Sequence, residues 1–99
     1  MLFRSVFYDE IYFAESVGRK MRLYCEEDMI EYYEKMDELE KELKGSFVRC
    51  HKSFLVNLMH VRSVDGRDIT LMNGKKIPIS RNKSAETKEK VFAYLGGLL

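Results

Sequence analysis

Residues 49–52, Arg-Cys-His-Lys, set a thiol beside an imidazole and flank both with cations. Two kinds of chemistry suit such a group. A cysteine activated by a histidine is a nucleophile, whereas Arg49, His51 and Lys52 together form a donor cluster suited to phosphates. Local geometry weighs against the nucleophile. Consecutive side chains of a strand point to opposite faces, so Cys50 and His51 do not readily share a proton. Catalytic Cys and His usually come from distant parts of a chain, and His60, the other histidine, has no oxyanion-hole motif with it. The chain has no phosphate-cradling glycine loop and no HExxH. Cys25 and Cys50 are not a CxxC pair, and two Cys with two His at this spacing match no zinc pattern. The expectation is therefore no enzyme, no metal, no cofactor, and two free thiols that are buried or half-buried.

Two further clusters resemble the first in composition. Arg19, Lys20 and Arg22 surround Met21, and Arg81, Asn82 and Lys83 follow Ser80. Lys and Arg neutralise phosphates and release counterions, and Arg, Lys and Asn can read base edges in a major groove. Each cluster alone also reads as an ordinary solvated turn. The nucleic-acid reading gains only if the three lie on one face. Charge is polarised along the chain: residues 1–45 carry seven Lys/Arg against twelve Asp/Glu, a balance of −5, and residues 46–99 carry ten against four, a balance of +6. The overall pI of 7.7 falls short of a basic binder's usual footprint, but a polarised chain can still present one basic face.

The elements that must position these side chains are short. Ninety-nine residues, 45% hydrophobic and 33% charged, make one globular domain spanning 1–99. No apolar run is long enough to span a membrane. "MLFRSVFYDE" breaks at Arg4 and Asp9 too early for a signal peptide, and a cytoplasmic location is expected. "LFRSVFYDEIYFAES" reads as one or two strands with a turn near Tyr8–Asp9. Gly18 begins a basic turn into the strand "MRLYCE", onto which "MIEYY" folds back through Glu27–Asp28. "EKMDELEKEL" is the one clear helix, with Asp37/Lys41 and Glu40/Lys44 at i,i+4 and Gly45 as its C-terminal cap. This acidic helix is expected to face solvent, away from any phosphate, so that Glu40→Ala leaves DNA affinity unchanged. "FVRCHKSFLVNL" alternates until Lys52–Ser53 and reads as two strands joined by a bend. Asp65-Gly66 and Asn73-Gly74 mark two hairpins, and Pro78 puts its strand at an edge. The tail, apolar at Val91, Phe92, Tyr94 and Leu95, reads as a short helix that loosens after Gly96-Gly97.

Two stretches at a fixed separation carry a resemblance. "FVRCHKSFLVNL" has the pattern F-x-R-x-H-x-S-x-x-V-N, through Phe47, Arg49, His51, Ser53, Val56 and Asn57. "NGKKIPISR" has the pattern N-G-x-x-(I/L/V)-P-(V/I)-S-R, through Asn73, Gly74, Ile77, Pro78, Ile79, Ser80 and Arg81. In this order the two resemble the LytTR family of bacterial DNA-binding domains, found in response regulators of two-component systems. "EIYFAESVGRKMRLY" looks like a third family stretch, and "MDELEKEL" sits where the family has its short helix, so the resemblance runs from about Phe3 to Leu95. It implies a mainly β fold, an elongated stack of small antiparallel β-sheets with one short α-helix. On this resemblance an N-terminal strand of the family domain is expected to be short or missing.

The resemblance also implies a function and a site. The expected function is transcription regulation, with loops inserted into successive major grooves of double-stranded DNA at promoter direct repeats and with DNA bending. The implied contacts are Arg19, Lys20 and Met21 in the first loop, Arg49 and Lys52 in the second, and Arg81, Asn82 and Lys83 in the third. Met21 occupies a position where some members carry a polar base-reading residue. His51, Ser53 and Asn57 look like the framework of the second loop. The implied partners beside DNA are a receiver domain upstream, which these residues do not contain, and a second copy on repeated half-sites. The alternative is a protein-interaction module that uses an exposed strand edge.

Overall fold

The computed structural model describes residues 8–43 and 45–96. Among these residues there are eight strands and two α-helices: β1 (Phe13–Val17), β2 (Lys20–Tyr24), β3 (Met29–Tyr33), α1 (Met36–Glu42), β4 (Phe47–His51), β5 (Phe54–Asn57), β6 (Val61–Val64), β7 (Asp68–Leu71), β8 (Lys76–Pro78) and α2 (Ser84–Gly96). Single 3-10 turns at Tyr8–Glu10, Leu58–His60 and Arg81–Lys83 link them. The first five strands in space order β3-β2-β1-β5-β4 form one antiparallel sheet, and β6-β7-β8 form a second.

Side-chain alternation explains the layering. Phe13 and Val56 face one way, with Val48 and Cys50, into an apolar cluster shared with Ile69, Leu71 and Ile77 of the small sheet and Val91 of α2. Ala14 and Leu55 face the other way, with Met21, Leu23 and Phe47, onto Met36, Leu39 and Leu43 of the α1 segment. The large sheet is thus covered on both faces, by α1 on one and by the small sheet with α2 on the other. Central strands covered on both faces lose polar alternation, which is why Leu55 and Val56 are consecutive and both buried. The described residues extend over 32 × 27 × 24 Å, so the stack is only slightly longer than it is wide.

The expected hairpins all form. Gly18 and Gly74 take φ of +62° and +92° in their turns, a region open to glycine. Gly45 ends the α1 segment at φ +93°. Pro78 lies on β8, an edge of the small sheet. The tail helix is longer than its apolar positions imply: it begins at Ser84 and runs 13 residues. Its polar first half hid it, because only Thr87 and Val91 are buried. The expected strand within residues 2–7 lies outside the described residues.

Candidate nucleic-acid interface

The β4–β5 turn, Lys52–Ser53, is the hub of the candidate site. Between β4 and β5 the pairing passes from Val48↔Val56 to His51↔Phe54, which leaves one extra residue on β4. Such a bulge bends the strand and re-aims its side chains. Alternation then puts Val48 and Cys50 in the inter-sheet core and sends Phe47 and Arg49 towards α1. Cys50 is fully buried, and its Sγ donates to the Pro78 carbonyl at 3.5 Å. Burial pushes its thiol up to about 12, so it stays protonated near neutrality and lacks the thiolate a nucleophile needs.

Polar atoms build the turn from inside. The Ser53 N–H donates to His51 Nδ1 at 3.1 Å. His51 therefore holds Nδ1 unprotonated here, and its ring meets Phe54 edge-on at 5.5 Å between centroids. Asn57 has no exposed surface. Its Nδ2 donates to the carbonyls of Ile11 at 2.9 Å and Tyr8 at 3.3 Å, and its Oδ1 accepts from the Met59 N–H at 3.0 Å. A buried amide of this kind is held only where its donors and acceptor find partners.

The other two clusters are anchored to this hub through backbone bonds. The Ser16 N–H donates to the Ser53 carbonyl at 2.9 Å, which holds the end of β1, and the Gly18–Arg19 turn after it, beside the hub. The Ser80 N–H donates to the Cys50 carbonyl at 2.9 Å, directly before the Arg81–Lys83 turn. A cleft of about 910 Å³ opens between the first two turns; Gly18, Arg19, Tyr33, Lys35, Lys52 and Ser53 are among its lining residues.

The individual expectations fare differently. Arg19, Lys52, Arg81 and Asn82 are exposed, and Lys83 is half-buried. Lys20 is exposed but pairs with Glu31 at 3.4 Å and lies 5.8 Å from the centre of the Tyr33 ring. Arg22 holds the other Glu31 oxygen at 2.7 Å. Exposed pairs of this sort are weak. Met21 is a correction: it is fully buried among Ile11, Ala14, Leu23 and Met36. On β2 it alternates with Lys20 and Arg22, so its side chain points into the core and not towards a thymine methyl.

Arg49 is also turned inward. Its side chain is only 19% exposed, with Nη1 bonded to Asp37 at 2.5 Å and Glu40 at 3.1 Å and Nη2 to the Lys52 carbonyl at 2.8 Å. Burial alone would lower its pKa, but the hydrogen bonds and charges of Asp37 and Glu40 outweigh that, and the net shift is upward. Asp37 is held below the usual carboxylate range, first by its hydrogen bond from Arg49. This corrects the placing of α1 as a helix that faces only solvent: Asp37 and Glu40 reach across to β4, and Lys41 pairs with Glu38 at 3.9 Å instead of Asp37. The Glu40/Lys44 pair falls outside the described residues.

Sequence reasoning missed Lys35 and Tyr33. Lys35 is exposed at the cap position before α1, and Tyr33 is 74% exposed at the end of β3. Both line the cleft between the first two turns. Lys35 had been absorbed into the helix, which begins one residue later. Among the described residues no helix is long and apolar enough to cross a membrane.

Fold and site together define a mainly β domain with three cation-bearing turns tied to one bend. The LytTr DNA-binding domain family model matches residues 3–92, and the chain belongs to that family. It is similar to accessory gene regulator protein A of Staphylococcus aureus, 40% identical over 63 residues that make up 62% of this chain and 26% of that protein. The Staphylococcus epidermidis protein of the same name is 38% identical over a stretch of the same length. The matched stretch thus spans about a quarter of these curated relatives. Among solved structures, the LytTr DNA-binding domain of a Bacillus cereus protein described as a methyl-accepting/DNA response regulator superposes with a TM-score of 0.76. The two share 27% identity over 88% of this chain and 84% of that one.

Proposed function

We propose that this domain binds double-stranded DNA sequence-specifically and regulates transcription, by inserting the turns at Gly18–Lys20, His51–Ser53 and Arg81–Lys83 into successive major grooves. The observation that carries the reading is the pair of backbone bonds, from Ser16 to Ser53 and from Ser80 to Cys50, that ties all three cationic turns to one bend. Phosphate contacts set position and base contacts set sequence. Arg19, Lys52 and Lys83 suit the first role, joined by Lys35 on the cleft rim. Arg81 and Asn82, exposed at the third turn, suit base reading. Lys20 becomes available when a phosphate replaces Glu31.

The family and the regulatory relatives support DNA as the partner. Direct repeats in a promoter, a second copy on the neighbouring half-site, a receiver domain upstream, bending of the duplex and a cytoplasmic location complete the proposal. Catalysis has no part in it. The test is selection of bound duplexes from a random pool, followed by affinity measurements across salt. Four or five neutralised phosphates give a slope of about −4 in log affinity against log salt, from about −0.9 per phosphate. A flat response, or no enrichment of any duplex, contradicts the proposal.

A further inference from the structure

Arg49 carries the charge and the motif position of a phosphate donor, yet its side chain faces the protein. Three of its bonds converge on two elements. Asp37 and Glu40 lie on α1, and the Lys52 carbonyl lies in the β4–β5 turn. That carbonyl belongs to the residue whose ammonium is the exposed cation of the turn. An arginine fork has fixed geometry and can hold two partners in defined directions, which a lysine's point charge cannot do. The Nε of Arg49 is buried and has no partner among the described atoms, so this half-buried guanidinium is held at some cost.

We propose that Arg49 is a positioning residue for DNA binding: held by Asp37 and Glu40, it fixes the Lys52 backbone so that the Lys52 side chain points outward, and it touches no DNA itself. The acidic helix then belongs to the binding apparatus as the strut behind the turn, and Glu40 is no longer a neutral position. The inference rests on the DNA reading of the turn. Its structural half, that Arg49 orders the turn, stands on the free protein alone.

The experiment therefore has two arms on the full chain. Without DNA, amide exchange is compared for the Ser53 and Ser16 N–H groups, both bonded within the turn. In Arg49→Lys these two are expected to exchange about tenfold faster, the effect of losing one hydrogen bond to a charged group, while Leu55 and Ile69 amides keep their rates. Unchanged Ser53 and Ser16 rates overturn the proposal, whatever DNA does. With a duplex from the selection, Arg49→Lys is expected to bind about tenfold more weakly despite keeping its charge. That loss disappears when Lys52→Ala is already present, because the two act through one contact.

Asp37→Asn separates the readings by sign. Asp37 is 75% exposed, so the variant keeps its fold. A positioning role predicts weaker binding although a negative charge has been removed. A direct phosphate contact predicts tighter binding once Arg49 is freed. Wild-type binding by Arg49→Lys, additive losses with Lys52→Ala, or tighter binding by Asp37→Asn overturns the proposal. If the wild type binds no duplex, the DNA reading falls and the exchange arm alone decides what Arg49 does for the turn.

Discussion

The β4–β5 turn and the Arg81–Lys83 turn have similar compositions and opposite economies of side chains. In the first, Arg49, His51 and Asn57 each bond to the protein's own backbone or carboxylates. Lys52 alone is exposed. In the second, Arg81 and Asn82 are exposed, and among the described residues Arg81 and Lys83 enter no ion pair. The difference teaches that a basic residue in a motif is not thereby turned outward, since the fold can give it partners of its own. One turn is built from its polar residues, and the other merely displays them.

The first way to break that comparison is to test residues counted as inward. Met21→Ala is expected to lower stability by about 2–5 kcal/mol, the cost of truncating a fully buried side chain, as read by chemical denaturation. A change under about 0.5 kcal/mol, typical of a surface site, would mean that Met21 is available to DNA after all. Asn57→Ala is expected to cost about 1–3 kcal/mol, because the carbonyls of Ile11 and Tyr8 and the N–H of Met59 lose their partner. The same melt measures it, and an unchanged midpoint would sink the inward role.

On the outward side, Arg81→Ala is expected to weaken DNA binding by about 1–3 kcal/mol if it reads a base. Its effect on stability should stay within about 0.5 kcal/mol. A loss of both together would move Arg81 to the inward class. The smallest effect is on acid stability. Asp37 has its folded pKa depressed by Arg49, so its contribution is present above the unfolded value of about 3.9 and disappears as pH falls through the lower folded value. Stability should therefore drop below about pH 4, and less steeply in Asp37→Asn. Identical acid profiles would leave no energetic role for the Asp37–Arg49 pair.

Much of the fold was legible because turn chemistry is local. Gly18, Gly74, Pro78 and the break at Lys52–Ser53 act within a few residues, and each marks the turn or edge it implied. The extent of α2 was not legible, since a helix that buries only Thr87 and Val91 has little apolar periodicity in its first half. The cationic turns were legible as clusters, but their shared anchoring was not, because backbone bonds such as Ser80 to Cys50 leave no trace in residue type. Met21 was misjudged because a loop motif was extended one residue into a strand, where alternation takes over. The inward pairing of Arg49 was not legible because its partners Asp37 and Glu40 lie on another element, twelve and nine residues away.

The measurement that tests the central claim most directly is an amide chemical-shift titration of the labelled domain with a selected duplex. The account predicts large shifts at residues 18–20, 51–53 and 81–83, a smaller one at Lys35, and silence at Met29 and Ile30 on the far end of β3 and at Phe92 on the outer side of α2. Shifts confined to Met29 and Ile30 or to α2, with the three turns unmoved, would contradict it.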